Sequence, residues 1–333
     1  VTSPRRIERI TWVIMLAFGY VCTRAVFDYM RGVNLVEGNR IRGAVGGFFE
    51  NPNDLALNIA TFMPLAIMYV KRPGPALKRT VSGIVLVLMC LTLVFTKSRS
   101  GMVGAAAMFA VFLVVSRSLT PTTILAGMIA GMVLVPIMPK EFWDRMASIT
   151  DESRDPTGSR EERRVLLERS WQAFLDNPVT GVGAGQFKHY RTADQPETWR
   201  VTHNAFMQVA SEIGIFGLFA FLYLIWRGFS AAWWTRGSLT WLHRRRRTRH
   251  GWSPPEPEDG LIDEERRFLE THASAILAGL AGWTVCAFFA SVAFHWTLYY
   301  MLALSVCARD VVRHRAEAYA EAKRLEKEGL VIA

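Results

Sequence analysis

Two uncharged runs, Thr80 to Thr96 (TVSGIVLVLMCLTLVFT) and Gly101 to Ser116 (GMVGAAAMFAVFLVVS), are joined only by Lys97-Ser98-Arg99-Ser100. An apolar helix of about 16 residues is roughly 24 Å long, slightly short of a ~30 Å hydrocarbon core. Flanking Trp, Tyr and Arg make up that difference at the interfaces. Outward from this pair, at least seven stretches of roughly 14 to 19 residues lack Asp, Glu, Lys and Arg. The whole chain of 333 residues is 51% hydrophobic and only 20% charged, with a mean hydropathy of +0.17. A soluble enzyme, a disordered protein and a disulfide-stapled secreted domain are excluded. The fold class is an all-α polytopic membrane protein.

Spans are expected at about 10–27, 54–70, 80–96, 101–116, 120–138, 205–227, 273–291 and 294–309. This divides the chain into a membrane part over 1–138, a loop over 139–204, a second membrane part over 205–315 and a tail over 316–333. With eight spans, the basic residues Arg5, Arg6 and Arg9, Lys71, Arg72, Lys78 and Arg79, Arg236, Arg244–Arg247 and Arg249, and Arg309, Arg313 and Arg315 fall on one side. The positive-inside rule makes that side cytoplasmic, with both termini inside. The net charge of +10 is thereby explained by orientation and anionic lipid, with no need for nucleic acid as a partner. Cys22, Cys90, Cys286 and Cys307 lie in apolar segments without metal-ligand spacing and read as lipid- or core-facing fillers.

The other side holds 28–53, the Lys97–Ser100 turn, 139–204 and the Ala293–His295 turn. Within the long loop, Ser159 and Glu162 form a capping box, so a helix is expected from Arg160. Leu167, Trp171 and Leu175, joined by Phe174, give it an apolar stripe. Arg160, Arg163 and Arg164 crowd its first turn, where a helix N-terminus already favours anions. Asn177-Pro178 and Gly181, Gly183 and Gly185 then end the helix in a turn. The bland alternative is a solvated loop held against lipid headgroups. The cytoplasmic segment 236–272, with its arginine run and Trp252-Ser253-Pro254-Pro255, reads as a loosely held loop that signals orientation. The tail from Ala316 to Lys327 reads as a charged, solvated helix.

Few residues suit chemistry. His203 opens the sixth span and is able to act as a general base near neutral pH, although an interfacial histidine or helix-start cap is the plainer reading. Glu212 lies nine residues on, at a depth where a carboxylate is costly unless paired or wet. Arg99 sits at the lip of the bundle, facing the long loop or snorkelling to headgroups. Asn51 or Asn53 can cap the second span, and Asn53, Asp54 and Asn58 also suit a polar cavity. Gly181-Val182-Gly183-Ala184-Gly185 lacks the strand and helix of a dinucleotide fold. No metal-ligand set, HExxH, GxSxG or P-loop is present, so no cofactor is expected.

Taken in order, Gly47 to Asn53 (GFFENPN), Ser98-Arg99-Ser100-Gly101, the arginine-started loop helix, Asn177 to Phe187 (NPVTGVGAGQF), His203-Asn204 and Gly214-x-x-Gly217 resemble the O-antigen ligase and polymerase superfamily. The resemblance covers roughly 40–225. Family members usually have more spans, and this sequence starts at Val1 rather than Met, so further spans are expected before it. The resemblance implies a GT-C-like helical bundle with a long helical periplasmic loop in a bacterial inner membrane. It implies a glycosyltransferase that takes its glycan from undecaprenyl diphosphate. The acceptor would be lipid A-core in a ligase, another glycan in a polymerase, or a protein hydroxyl in an O-oligosaccharyltransferase. His203 matches the family's essential histidine, and Arg99 and Arg160 match its diphosphate-binding arginines. Arg163 and Arg164 are further candidates, with Asn51, Asn53, Asn204 and Glu212 in supporting places. Inversion at the anomeric carbon is expected, since no nucleophilic carboxylate is evident. A transporter of lipid-linked glycans is the rival from another class, but it should carry polar residues along several span interiors. A scaffold without catalysis would leave His203 dispensable.

Overall fold

In the computed structural model the described residues are 3–37, 39–116, 140–147, 159–191, 200–247 and 260–328, without the side chains of Phe48, 140–141, Arg145, 159–160 and 241–247. Among them the chain is mostly helical, with connecting turns and one small hairpin. Its helices are α1 (Pro4–Met30), α2 (Pro52–Lys71), α3 (Ala76–Phe95), α4 (Arg99–Val115), α5 (Lys140–Ala147), α6 (Ser159–Asp176), α7 (Ala205–Arg247), α8 (Asp263–Ala287) and α9 (Trp296–Lys327). The hairpin pairs β1 (Leu35–Val36) antiparallel with β2 (Arg40–Ile41). The all-α polytopic reading holds.

Local chemistry sets the helix starts. Ser3 and Pro4 begin α1, while Asn51 Oδ1 accepts the Asn53 N–H at 2.8 Å with Pro52 as the first residue of α2. Ser98 Oγ accepts the Gly101 N–H at 3.2 Å and so caps α4. By length and apolar composition, α1, α2, α3 and the Ala205–Thr240 part of α7 can cross a membrane, and α4 is a shorter apolar helix. In α8 the uncharged part begins only at Thr271, and in α9 it ends at Ala308.

Helices α2 and α8 form the centre of the bundle. Most of α2 is buried on every face, and α8 packs against α2, α4 and α7. The α4–α8 contact is close because Gly104 has no side chain: a Cβ there would stand 2.1 Å from Cys286 Sγ. Around the centre, Phe18 stacks on Phe62 at 4.6 Å and Tyr29 on Phe95 at 4.0 Å. All four cysteines are free, with Cys22 and Cys286 buried.

One expectation needs correction. Segment 236–272 is helical at both ends, because α7 runs on to Arg247 and α8 starts at Asp263. Arginines near the end of one helix and Asp263, Glu264 and Glu265 in the first turn of the next suit the helix dipoles, so a polar sequence here does not mean loose chain. The tail over Ala316–Lys327 is helical as expected, and it continues the last span as one helix, α9. The expected span 120–138 and the Trp252–Pro255 stretch lie outside the described residues.

The ends of the bundle are chemically distinct. Arg72 pairs with Glu8 at 3.3 Å and with Glu264 at 3.2 Å, and Arg236 Nε donates to the Val115 carbonyl at 2.7 Å. This end therefore collects the start of α1, the ends of α2 and α4, and the start of α8. The starts of α4 and α7 and the end of α8 meet at the other end.

Candidate functional site at the His203 end of the bundle

That other end carries a cavity of about 400 Å³. Its polar wall includes Arg99, Arg163, Arg164, Thr202, His203 and Asn204, and its apolar wall includes Val103, Leu167 and the Phe288-Phe289 pair. Three remote segments thus converge: the start of α4, the first turns of α6 and the entry to α7. Arg163 and Arg164 of the loop helix and Arg99, far apart in sequence, face one space with the histidine.

Each segment is held by specific contacts. Arg99 stands at the first position of α4, after a turn in which Lys97 is buried with φ of 46°. The buried Arg40 braces that turn from β2, donating to the Thr96 carbonyl at 2.9 Å and to Asn53 Oδ1 at 2.7 Å. Ser98 Oγ donates to the same Asn53 oxygen at 2.9 Å. Asn51 and Asn53 are therefore not cavity residues: the first caps α2 and the second joins Arg40 to Ser98. Sequence reading missed Arg40. An arginine in a short polar loop gives no signal that it will be buried.

His203 has φ of 52°, the left-handed conformation that costs a non-glycine residue on the order of 1 kcal/mol or more. Its N–H donates to Ser291 Oγ at 2.8 Å, and Ser291 also hydrogen-bonds Thr202 Oγ1 at 2.9 Å. Asn204 caps α7, its Oδ1 accepting the N–H groups of Phe206 and Met207 at 2.9 and 3.0 Å. Its amide donates to the Phe288 carbonyl at 3.3 Å. Ser291, Phe288 and Phe289, all on the turn after α8, escaped the sequence reading because nothing local marks them.

Burial lowers the His203 pKa to about 4, and the positive charges of Arg163 and Arg200 push the same way. The imidazole is neutral at pH 7. Arg200 itself pairs with Glu162, and Arg164 pairs with Glu168 at 3.1 Å. Arg160 stands one turn before Arg163 on α6, but its side chain, like that of Ser159 in the expected capping box, lies outside the described residues. On α6 the stripe Leu167, Trp171 and Leu175 is about half exposed, while Leu166, Ser170 and Ala173 face inward.

Glu212 is not in the cavity either. Its carboxylate accepts the Gly185 N–H at 2.9 Å, with the Phe187 N–H and the Gln208 amide as further partners. Helix α7 is broken here, Gly214 having φ of 76° and ψ of −169°. The break frees backbone groups that the 178–187 segment takes up: Val182 N–H to the Ser211 carbonyl, Gly183 N–H to the Glu212 carbonyl, and Ile215 N–H to the Pro178 carbonyl. A Cβ on Gly214 would lie 2.2 Å from the Val179 carbonyl oxygen. The glycine turn after α6 is thus fastened to α7 at its break.

These features define a helical membrane protein with a strongly basic, half-enclosed cavity at one end of its bundle, and with a neutral histidine in its wall. Within that class, residues 84–222 match the O-antigen ligase family. The matched segment is rather less than half of the chain, and it contains Arg99, Arg163, Arg164, His203 and the glycine turn. It bears out the resemblance to the O-antigen ligase and polymerase superfamily and supports a membrane enzyme of that type. No curated protein matches the chain.

Proposed function

We propose that this cavity is the reaction centre of a glycosyltransferase that moves a glycan from undecaprenyl diphosphate to lipid A-core on the periplasmic face of a bacterial inner membrane. The observation that carries the reading is the convergence of Arg99, Arg163 and Arg164 with His203 on one cavity. A lipid diphosphate leaving group develops negative charge as its bond to the sugar breaks. Guanidinium groups already aimed at that position stabilise it, each charge-assisted hydrogen bond contributing about 1.5–3 kcal/mol. Each 1.36 kcal/mol is about tenfold in rate.

In this reading the acceptor hydroxyl attacks the anomeric carbon and His203 takes its proton. The bond from that carbon to the diphosphate oxygen breaks, and the lipid diphosphate leaves with the electron pair. One displacement inverts the anomeric configuration. The neutral state of His203 suits a proton acceptor, and the anionic donor offsets the charges of Arg163 and Arg200. Donor binding therefore raises the histidine pKa toward the operating pH, where a general base is most effective. The Phe288-Phe289 wall gives the polyprenyl or sugar face an apolar surface.

The test is product analysis with purified protein, undecaprenyl-diphosphate glycan and either lipid A-core or donor alone. Transfer to lipid A-core with inverted configuration supports the proposal. Chain extension of the donor glycan would replace ligase by polymerase, and retained configuration would sink the single-displacement mechanism.

A further inference from the structure

A second cavity, of about 280 Å³, opens at the opposite end of the bundle, and nothing in the glycosyl-transfer reading uses it. Four cations line it: Lys71 and Arg72 at the end of α2, Arg236 on α7 and Arg267 on α8. One carboxylate, Glu270, lines it with them. The rest of the wall is mixed, with Met68, Pro73, Phe112 and Val115 forming an apolar side and Ser116, Thr271 and Ser274 adding hydroxyls.

Some of this charge is already engaged. Arg72 is held by Glu8 and Glu264, and lies 5.0 Å over the Phe268 ring. Arg236 donates to the Val115 carbonyl, and Glu270 accepts the Thr240 hydroxyl at 3.1 Å. Lys71 and Arg267 have no carboxylate partner among the described residues. Lys71 instead rests 5.7 Å over the Phe112 ring. Four cations against one carboxylate, converging from three helices beside an apolar side, make a receptor for an anion with an apolar continuation.

We propose that this cavity binds the phosphate headgroup of an anionic phospholipid, with Lys71 and Arg267 as its phosphate contacts and the Phe112 side toward the glycerol and acyl chains. Basic pockets between helices at a membrane face take anionic headgroups in this way. Free phosphate shares the charge but gains nothing from the apolar wall. The site joins α2, α4, α7 and α8, which also carry or support the His203 cavity, so occupancy braces the same helices from the other end.

The test is thermal unfolding of delipidated full-length protein in detergent with phosphatidylglycerol, with phosphatidylcholine, or with inorganic phosphate alone. Phosphatidylglycerol should raise the Tm of the wild type and phosphatidylcholine should not. In Lys71→Ala/Arg267→Ala the apparent affinity for phosphatidylglycerol should fall about tenfold or more. Arg313→Ala, which removes a basic residue elsewhere at this end, should keep the wild-type response. His203→Ala should keep it too, so the lipid site and the glycosyl-transfer reading stand or fall separately. An equal shift with phosphatidylcholine, or an undiminished shift in the double variant, would overturn the proposal. A full shift with inorganic phosphate alone would overturn the lipid as its source.

Discussion

The backbone N–H of His203 donates to Ser291 Oγ at 2.8 Å, tying the segment that leads into α7 to the turn that leaves α8. A left-handed non-glycine residue persists only where its surroundings hold it. Ser291 is one such hold, and Asn204 beside it is another. In the proposed reaction Ser291 is a positioning residue, since it acts through the backbone of His203. Ser291→Ala should lower kcat roughly ten- to hundredfold with little change in KM. Ser291→Thr, which keeps the hydroxyl, should recover much of it. Steady-state kinetics of the pair checks this, and a loss confined to KM would contradict it.

The acid limb of activity offers a second check. Burial, with the charges of Arg163 and Arg200, pushes the His203 pKa down to about 4. The kcat/KM profile should therefore be flat over about pH 6 to 8 and fall only as pH approaches about 4. The limb in kcat should lie at higher pH, because the bound diphosphate offsets both arginines. Arg200→Met should move the kcat/KM limb upward. Stability follows the same group: with a folded pKa below the ordinary 6.5, the unfolded chain binds more protons between about 4 and 6.5. Stability from this residue is thus complete above 6.5 and declines as pH falls through that window. Thermal unfolding of His203→Gln should show a shallower decline.

Parts of this arrangement were legible in the sequence and parts were not. Uncharged runs revealed the helical membrane architecture, because a bilayer demands long apolar stretches. The order of Arg99, the loop arginines and His203 pointed to one site, and the fold brings Arg99, Arg163, Arg164 and His203 to one cavity. Asn53 and Glu212 looked like site residues for a sound reason, being polar groups at membrane depth. Their cost is met otherwise: Asn53 serves Arg40 and Ser98, and Glu212 serves the glycine turn. Such satisfaction depends on contacts distant in sequence. Ser291 and Phe288 were illegible because a serine or phenylalanine after an apolar helix has no distinctive spacing.

Gly214→Ala tests the fastening of the glycine turn. The added methyl meets the Val179 carbonyl oxygen, and the backbone stays in a region costly for alanine. We expect a loss of about 1–3 kcal/mol in stability and faster proteolysis within 178–187. Glu212→Ala should produce the same proteolytic sensitivity by releasing the Gly185 N–H. Resistance equal to wild type in both variants would show that the turn is held elsewhere.

Arg40→Ala removes a buried guanidinium that donates to Thr96 and Asn53. Both acceptors lose a charged partner, at about 1–3 kcal/mol each. Stability should fall and the Arg99 turn should loosen. If Arg40 positions Arg99, donor KM rises in this variant even at temperatures well below its Tm. An unchanged KM would limit Arg40 to stability.

The central claim is that His203 and the arginines around it form one glycosyl-transfer centre. The most direct measurement compares wild type, His203→Ala and Arg99→Lys for turnover and for binding of undecaprenyl-diphosphate glycan. The account predicts that His203→Ala loses transfer by roughly 10²- to 10⁴-fold while retaining donor binding. It predicts that Arg99→Lys weakens donor binding because the bidentate fork is lost. Near-normal turnover in His203→Ala would contradict it.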